Sequence, residues 1–281
     1  GLGGADTIDG GGGTDTVSYL GSGAAVSIGL DNSAGTGGEA AGDKLYNVEI
    51  LVGSDYDDTL WGNALANTIY GNNGADIIKG DAGADTLDGG AGSDTVNYAL
   101  SASAVTVNLA TATGVGGDAQ GDTYVSIENV TGSANADTLT GDGNANILTG
   151  GAGDDILQGG LGADTLNGGT GTDTADYSDS TTGVTVNLSG ATSSGGTAEG
   201  DTLNSIETVI GSAYADTLTG TAANETFTGG DGDDTISAKA GNDVINAGLG
   251  DDTIDGGAGA DTIDGGLGTD SLSYAASSLA V

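Results

Sequence analysis

A nine-residue period is the feature that most narrows what this chain can fold into. The clearest unit is GGAGADTID at 256–264, with glycine at positions one, two and four, aspartate at position six and an aliphatic residue at position eight. Nineteen such units fit without gaps, and position eight is a large aliphatic residue or Phe in all of them except the unit with Ala175. They form four blocks, 1–18, 53–97, 132–176 and 211–273. A period this short predicts a stacked repeat fold.

Three inserts of equal length separate the blocks and resemble one another. They share the runs AVSIGL, AVTVNL and GVTVNL, followed by GDKLYNVEILVG, GDTYVSIENVTG and GDTLNSIETVIG. The inserts are 19–52, 98–131 and 177–210, and 274–281 would begin a further one. A tyrosine follows each block, 79 residues separating the first from the second and the second from the third: Tyr19, Tyr98, Tyr177 and Tyr274. The chain is a repeat of repeats, and we expect 1–281 to be one continuous segment of a longer array.

Each unit predicts one short strand and one glycine turn. Position seven is mostly Thr and position eight is apolar, which favours a strand of about three residues with one side chain turned inward. The glycines favour a tight turn with positive φ. Two units form one coil, and stacked coils bury position eight between two parallel sheets. The predicted fold is all-β, a parallel β-roll (a right-handed β-solenoid) of stacked 18-residue coils.

The 34-residue inserts are predicted to form additional coils and outward loops. Extending the nine-residue frame backwards from each following block puts a glutamate at position six and an apolar residue at position eight. We therefore expect each insert to re-enter the stack through a half-coil that carries Glu49, Glu128 or Glu207. The polar runs DNSAGTGGEAAG, ATATGVGGDAQG and SGATSSGGTAEG are predicted to be outward loops.

The composition requires positive charge from outside the chain. The 281 residues carry 41 acidic side chains and three cations, Lys44, Lys79 and Lys239, for a formal charge of −38. Nucleic acid is excluded as a partner because phosphate contacts need a basic surface. No apolar run approaches the roughly 20 residues of a membrane span. The chain has no His, Cys or Arg, so we expect no enzyme activity and no small-molecule substrate.

Position six places a carboxylate at the end of each turn. Turns of alternate units share an edge, and parallel strands stack about 4.8 Å apart, so these carboxylates repel each other unless a cation lies between them. Glycine also allows backbone carbonyls to turn toward the same point. Ligands that are all oxygen suit calcium, whereas magnesium demands rigid octahedral geometry and zinc prefers nitrogen or sulfur. The alternative is a solvated acidic face whose glycines serve only the turns.

The nonapeptide resembles the repeats-in-toxin (RTX) family of calcium-binding proteins, whose signature is G-G-x-G-x-D-x-U-x. The units GGLGADTLN at 159–167 and GGAGADTID at 256–264 are near-complete matches. The resemblance covers the nonapeptide blocks directly, and the inserts are similar to segments found between such blocks in large bacterial surface proteins. It implies a parallel β-roll, several calcium ions between successive turns, and secretion by a type I pathway.

The resemblance also implies the calcium ligands, position by position. The matching carboxylates, the first two of which belong if preceding chain is present, are Asp6, Asp15, Asp76, Asp85, Asp94, Asp155, Asp164, Asp173, Asp234, Asp243, Asp252, Asp261 and Asp270. The turn glycines whose carbonyls would contribute are Gly74, Gly83, Gly92, Gly153, Gly162, Gly171, Gly232, Gly241, Gly250, Gly259 and Gly268.

Six further carboxylates are candidate ligands in less regular surroundings. Three of them belong to units that have Tyr56, Asn135 or Tyr214 where the family has its second turn glycine, and the other three are the glutamates of the extended frame. The six are Asp58, Asp137, Asp216, Glu49, Glu128 and Glu207.

The second unit of three blocks breaks the pattern, having lost its inner glycine and its aspartate. The runs are GNALANTIYG, GDGNANILTG and GTAANETFTG, which place Asn67, Asn146 and Glu225 at position six. One coil earlier on the same edge lies the glutamate of the insert. We therefore expect no regular calcium site, or a weaker one, between these two rungs.

These features favour a calcium-binding structural segment of a secreted or cell-surface bacterial protein, such as a surface layer, a filament or an adhesin stalk. Self-association or assembly at the cell surface would then be expected. We expect the segment to fold and stiffen on calcium binding after export, because its apolar core is thin. The alternative is a calcium-triggered folding and secretion module attached to an enzyme or toxin. An ice-binding solenoid is the less favoured third alternative, because it needs an unbroken row of Thr. Here the Thr residues at position seven are interrupted by Ile77, Ile147, Ile156 and Val244.

Overall fold

The computed structural model describes residues 3–273, and nearly all of its regular structure is short β-strand. Contacts divide the chain into two compact units, Gly1–Leu139 and Thr140–Val281. Tyr274 and the further insert predicted at 274–281 lie outside the described residues. The predicted all-β architecture with stacked parallel strands is confirmed. No helix in the described part of the chain is long and apolar enough to cross a bilayer.

The strands of the first unit are three or six residues long. They are β1 (Thr7–Asp9), β2 (Thr16–Ser18), β3 (Ser27–Gly29), β4 (Lys44–Tyr46), β5 (Ile50–Val52), β6 (Thr59–Trp61), β7 (Thr68–Asn73), β8 (Ile77–Lys79), β9 (Thr86–Ala91), β10 (Thr95–Asn97), β11 (Thr106–Asn108), β12 (Thr113–Val115), β13 (Thr123–Val125) and β14 (Asn129–Thr131). Strand β15 (Thr138–Thr140) lies at the division between the units. Single 3-10 turns occur at Gly38–Ala40 and Gly117–Ala119.

Strands in the first unit pair with strands one coil away, so the nine-residue period becomes an 18-residue register. One row runs β14–β10–β8–β6–β3, and a second begins β2–β5–β7–β9–β13. In the first row Leu60 is opposite Ile78, which is opposite Val96. These position-eight side chains are completely buried. The residue that the sequence repeats is therefore the residue that forms the core.

The first insert re-enters the stack where the extended frame predicts. Strand β5 pairs with β2 on one side and β7 on the other, both parallel, which puts Leu51 between Val17 and Ile69. Glu49 therefore precedes a strand at the same register as Asp15 and Asn67.

The polar runs of the inserts are not wholly outward loops. In the first unit, Ala40 and Ala119 belong to the 3-10 turns and are completely buried. The second insert also departs from parallel pairing, because β12 pairs antiparallel with both β11 and β13. Paired glycines with positive φ open each 3-10 turn and fold the run back against the stack, so its small alanine reaches the interior.

The second unit repeats this design. Its strands are β16 (Ile147–Ala152), β17 (Ile156–Gln158), β18 (Thr165–Thr170), β19 (Thr174–Asp176), β20 (Thr185–Asn187), β21 (Thr202–Asn204), β22 (Thr208–Ile210), β23 (Thr217–Thr219), β24 (Thr226–Asp231), β25 (Thr235–Ser237), β26 (Val244–Leu249), β27 (Thr253–Asp255), β28 (Thr262–Asp264) and β29 (Ser271–Ser273), with a 3-10 turn at Gly196–Ala198. They pair in the orders β21–β18–β16, β17–β19–β22–β24–β26–β28 and β20–β23–β25–β27–β29. Ala198 is buried like its counterparts in the first unit.

Candidate metal centre

The position-four glycines form the inner corner of each regular turn. All eleven predicted carbonyl-bearing glycines have positive φ, from 113° at Gly153 to 156° at Gly92. A Cβ on Gly92 would lie 1.6 Å from the carbonyl oxygen of Gly74, one coil earlier. Only glycine allows turns to stack this closely, and the stacking brings backbone carbonyls to the same edge as the position-six side chains.

Each position-six carboxylate of the regular stack is tied by one oxygen to the coil before it. The backbone N–H of Asp58 donates to Oδ1 of Asp76 at 2.7 Å, and that of Asp76 donates to Oδ1 of Asp94 at 2.8 Å. The same bond ends on Asp85, Asp164, Asp173, Asp234, Asp243, Asp252, Asp261 and Asp270. We call this array the carboxylate ladder, and each position-six residue is one rung.

The second oxygen of many rungs is buried and accepts no hydrogen bond within residues 3–273. In the regular blocks this holds for Oδ2 of Asp15, Asp76, Asp85, Asp94, Asp164, Asp173, Asp234, Asp243 and Asp252. In most of these units the oxygen faces a glycine at position one, and a Cβ on Gly71 would lie 2.2 Å from Oδ2 of Asp76. Alanine occupies position one in the units of Asp243 and Asp252. Buried polar atoms are nearly always paired, so a whole series of such oxygens fits a binding site for cations.

Burial also disfavours the charged form of these rungs. Desolvation raises the pKa of Asp76, Asp85 and Asp234 to about 7, and that of Asp164 to about 6. Neighbouring rungs add repulsion, since the charges of Asp94 and Asp58 also raise the pKa of Asp76. An adjacent cation would favour the charged form of such a carboxylate and offset this cost.

The ligands that the ladder offers suit calcium better than they suit a metal whose ligands are all side chains. The described residues contain no group of three or more His, Cys, Asp or Glu side chains placed to hold a metal ion. A metal on the ladder would be held by carboxylate oxygens of the rungs together with backbone carbonyls of the glycine turns. Calcium accepts such a flexible, all-oxygen set of ligands.

The predicted rungs at the two ends of the described chain are more open than those inside. Asp6 and Asp15 are partly exposed, and their N–H groups donate to Asp43 at 2.8 Å and Glu49 at 2.9 Å. Asp261 is partly exposed and Asp270 is exposed. Asp155 lies inside the ladder and is fully buried, with its N–H bonded to Asp173 at 2.9 Å.

The glutamates of the inserts lie on the ladder. Oε2 of Glu128 accepts the N–H of Asp94 at 2.8 Å, and Oε2 of Glu207 accepts that of Asp173 at 3.0 Å, as Glu49 does for Asp15. Each glutamate therefore continues the series after a regular rung. Their role as calcium ligands stays a prediction.

The first rung of each full block has different surroundings. Asp58 accepts the hydroxyl of Ser54 at 2.8 Å, the N–H of the same serine, and the N–H of Val26 at 2.7 Å. Ser133 and Ser212 donate in the same way to Asp137 and Asp216. Both oxygens of these three carboxylates are thus hydrogen-bonded by the protein.

Three buried carboxylates were missed by the nonapeptide frame. Asp43, Asp122 and Asp201 lie in the inserts, and each accepts the N–H of a rung 37 residues earlier. Their second oxygen accepts a tyrosine hydroxyl, from Tyr19, Tyr98 and Tyr177 respectively. The sequence carried a signal for them, because DTY at 122–124 and DTL at 201–203 repeat positions six to eight of the unit.

The irregular second rungs differ chemically from the regular ones. Oδ1 of Asn67 accepts the N–H of Asn63 at 2.8 Å, which leaves a buried amide nitrogen without an acceptor among the described residues. Oε1 of Glu225 accepts the N–H and hydroxyl of Thr221. An amide nitrogen is not a calcium ligand, so this geometry supports the predicted gap at Asn67, which stays a prediction.

A family model of RTX calcium-binding nonapeptide repeats matches most of the chain. The matched residues are 1–21, 47–64, 61–96, 126–157, 140–175, 201–236 and 237–272. They cover the four nonapeptide blocks to within one residue, and the later part of each insert. No curated protein matches the chain significantly.

Proposed function

Since this chain belongs to the RTX calcium-binding nonapeptide repeat family, we propose that it is a structural segment whose folding depends on calcium. Family membership makes it a calcium-binding repeat protein of the kind exported by type I secretion, and such proteins are generally secreted. Our proposal adds that the ladder stiffens a length of surface layer, filament or adhesin stalk on a bacterial cell. In this role the segment has no catalytic activity of its own.

The observation that carries the proposal is the row of buried, unpartnered carboxylate oxygens. Asp76, Asp85 and Asp234 each place one such oxygen against a glycine turn in a chain with three lysines. Lys79 pairs with Asp81, which is not a rung. Without a cation, folding buries negative charge that nothing neutralises, and a metal that binds only the folded ladder contributes its binding free energy to folding.

Circular dichroism in chelator and then in calcium tests the proposal. We expect little β signal in EGTA and a cooperative gain as free calcium approaches about the millimolar range typical of extracellular modules. Magnesium at the same concentration is the control and should restore much less signal. A β signal that is already complete in chelator would contradict calcium-dependent folding.

The role as a stalk or lattice is supported by the 79-residue super-repeat, because duplication of a whole block with its insert lengthens a spacer. The alternative is a folding and secretion module attached to an enzyme or toxin. Electron microscopy of the calcium-loaded chain separates them. Filaments or sheets support the structural role. Isolated particles, together with a catalytic domain elsewhere in the parent protein, support the alternative.

A further inference from the structure

Two kinds of buried carboxylate occur on the ladder, and Asp164 and Asp201 show the difference. Oδ1 of Asp164 accepts the N–H of Asn146 at 2.8 Å, while its Oδ2 is buried and has no partner among the described residues. Oδ1 of Asp201 accepts the N–H of Asp164 at 2.8 Å, but its Oδ2 accepts the hydroxyl of Tyr177 at 3.1 Å. The two residues are consecutive rungs. The tyrosine hydroxyl therefore bonds the same carboxylate oxygen, Oδ2, that has no partner on the neighbouring rung.

The same arrangement occurs in the other two inserts. The hydroxyl of Tyr98 donates to Oδ2 of Asp122 at 2.6 Å, and that of Tyr19 donates to Oδ2 of Asp43 at 3.0 Å. All three tyrosines and all three aspartates are buried, at no more than 2% exposure. Each tyrosine immediately follows a block, and its partner lies 24 residues later in the insert.

At the first rung of each full block, a serine and not a tyrosine donates to the carboxylate. The hydroxyls of Ser54, Ser133 and Ser212 are 2.8–2.9 Å from Oδ1 of Asp58, Asp137 and Asp216, and the serine N–H groups donate to Oδ2. Six carboxylates in all thus have both oxygens occupied by donors of the chain.

We propose that these six carboxylates are metal-free rungs, at which a donor of the chain, a tyrosine hydroxyl or a serine N–H, occupies the oxygen that faces calcium elsewhere on the ladder. This inference rests on the proposed function, because it assumes that the remaining rungs bind calcium. A calcium ion at Asp201 would have to displace the Tyr177 hydroxyl, which is buried and would lose its partner. The hydroxyl therefore excludes the metal, and each insert meets the adjoining calcium rungs through a carboxylate that needs no ion.

The matched substitutions Asp164→Asn and Asp201→Asn test the proposal in the full chain. Asparagine keeps an oxygen that can accept the neighbouring N–H but removes the charge at both positions. Isothermal titration with calcium and native mass spectrometry should show fewer bound ions for D164N than for wild type. D201N should keep the wild-type number and bind with the wild-type midpoint, within about twofold.

The outcomes separate this inference from the proposed function. A wild-type chain that binds no calcium overturns both. A wild type that binds calcium and loses an ion in D201N overturns the metal-free rungs alone. A crystal of the wild-type chain grown in calcium gives a test that does not depend on a variant folding: anomalous peaks should lie beside Asp164 and Asp234, and a peak beside Asp43, Asp122 or Asp201 contradicts the inference.

Discussion

The hydroxyl of Tyr98 lies 2.6 Å from Oδ2 of Asp122 and 2.8 Å from the hydroxyl of Tyr124, with all three side chains buried. The corresponding pair in the third insert, Tyr177 with Asp201, has Leu203 in place of the second tyrosine. Beside this carboxylate, the second copy therefore has a second hydroxyl that can approach it if the first is removed, and the third copy does not.

We expect Tyr177→Phe to destabilise the calcium-loaded chain by about 1–3 kcal/mol, because it removes a donor from a buried carboxylate. Tyr98→Phe should cost less, since the Tyr124 hydroxyl can turn toward Asp122. Urea unfolding at saturating calcium measures both. The double variant Tyr98→Phe, Tyr124→Phe is the control and should match Y177F. Equal costs for Y98F and Y177F would contradict the backup role of Tyr124.

At Gly71, position one of its unit, the carboxylate of Asp76 leaves no room for a side chain. We expect Gly71→Ala to destabilise by about 1–3 kcal/mol, the usual cost of forcing extra atoms into a packed interior. Its Cβ would lie 2.2 Å from Oδ2 of Asp76 and 2.5 Å from the carbonyl oxygen of Gly89. The calcium concentration at half-folding should rise in the same variant, because the displaced carboxylate is a predicted ligand.

Gly143→Ala is the matched control for that experiment. A Cβ on Gly143 meets no atom within 4 Å, and its φ is not in the left-handed region. Its effect should stay within about 0.5 kcal/mol, as for an ordinary surface change. If G143A is as harmful as G71A, the cost comes from lost glycine flexibility and not from the contact with Asp76.

The core and the repeat register follow from the sequence because both depend on one local rule. A three-residue strand every nine residues puts Leu60, Ile78 and Val96 in line, and the structure pairs them in that order. The same rule carried past the block boundary places Leu51 correctly between Val17 and Ile69.

The inserts do not follow that rule because their contacts join residues that lie outside the nine-residue frame. Nothing in a nine-residue frame links Tyr19 to Asp43, which meet only after the chain has folded back through a 3-10 turn. The burial of Ala40 in a run of polar residues has the same origin, since a polar composition predicts solvent exposure but not the path of the backbone. The unpartnered carboxylate oxygens likewise cannot be identified from sequence, because the contacts of both oxygens of each carboxylate must be known.

Substitution of a position-eight residue should unfold much of the stack. We expect Leu148→Ala to destabilise by about 2–5 kcal/mol, because Leu148 is completely buried and its removal leaves a cavity. Leu161→Ala is the control, since Leu161 is 61% exposed, and it should change stability by less than about 0.5 kcal/mol. Both are measured by urea unfolding in calcium, and comparable effects of the two would contradict a core built on position eight.

Without calcium, the fold should become less stable as the pH rises from about 5 to 8. The pKa values of Asp76, Asp85 and Asp234 are raised to about 7 in the folded chain, whereas an aspartate in an unfolded chain titrates near about 3.9. The folded chain therefore binds more protons across this window, and stability falls as they are released. Circular dichroism in EGTA across this range should show β signal decreasing with pH.

Calcium should reverse that pH dependence, because protons and calcium compete for the same carboxylate oxygens. At a fixed, partly saturating calcium concentration, raising the pH from about 5 to 8 should therefore increase the β signal and the number of ions bound. A β signal that falls with pH in both EGTA and calcium would show that the titrating groups are not the ones that bind the metal.

The irregular rung at Asn67 allows the ladder chemistry to be tested by gain of function. We expect Asn67→Asp to raise the number of calcium ions bound, because the buried amide nitrogen, which has no acceptor among the described residues, becomes a carboxylate oxygen on a rung adjacent to Asp85. In EGTA the same variant should be less stable than wild type, since it buries one more carboxylate without a cation. Asp85→Asn, which makes the opposite change on the next rung, is the control and should lower the ion count. Native mass spectrometry gives both counts, and an unchanged count in N67D would show that the missing turn glycine at Leu65, rather than the amide, prevents calcium from binding there.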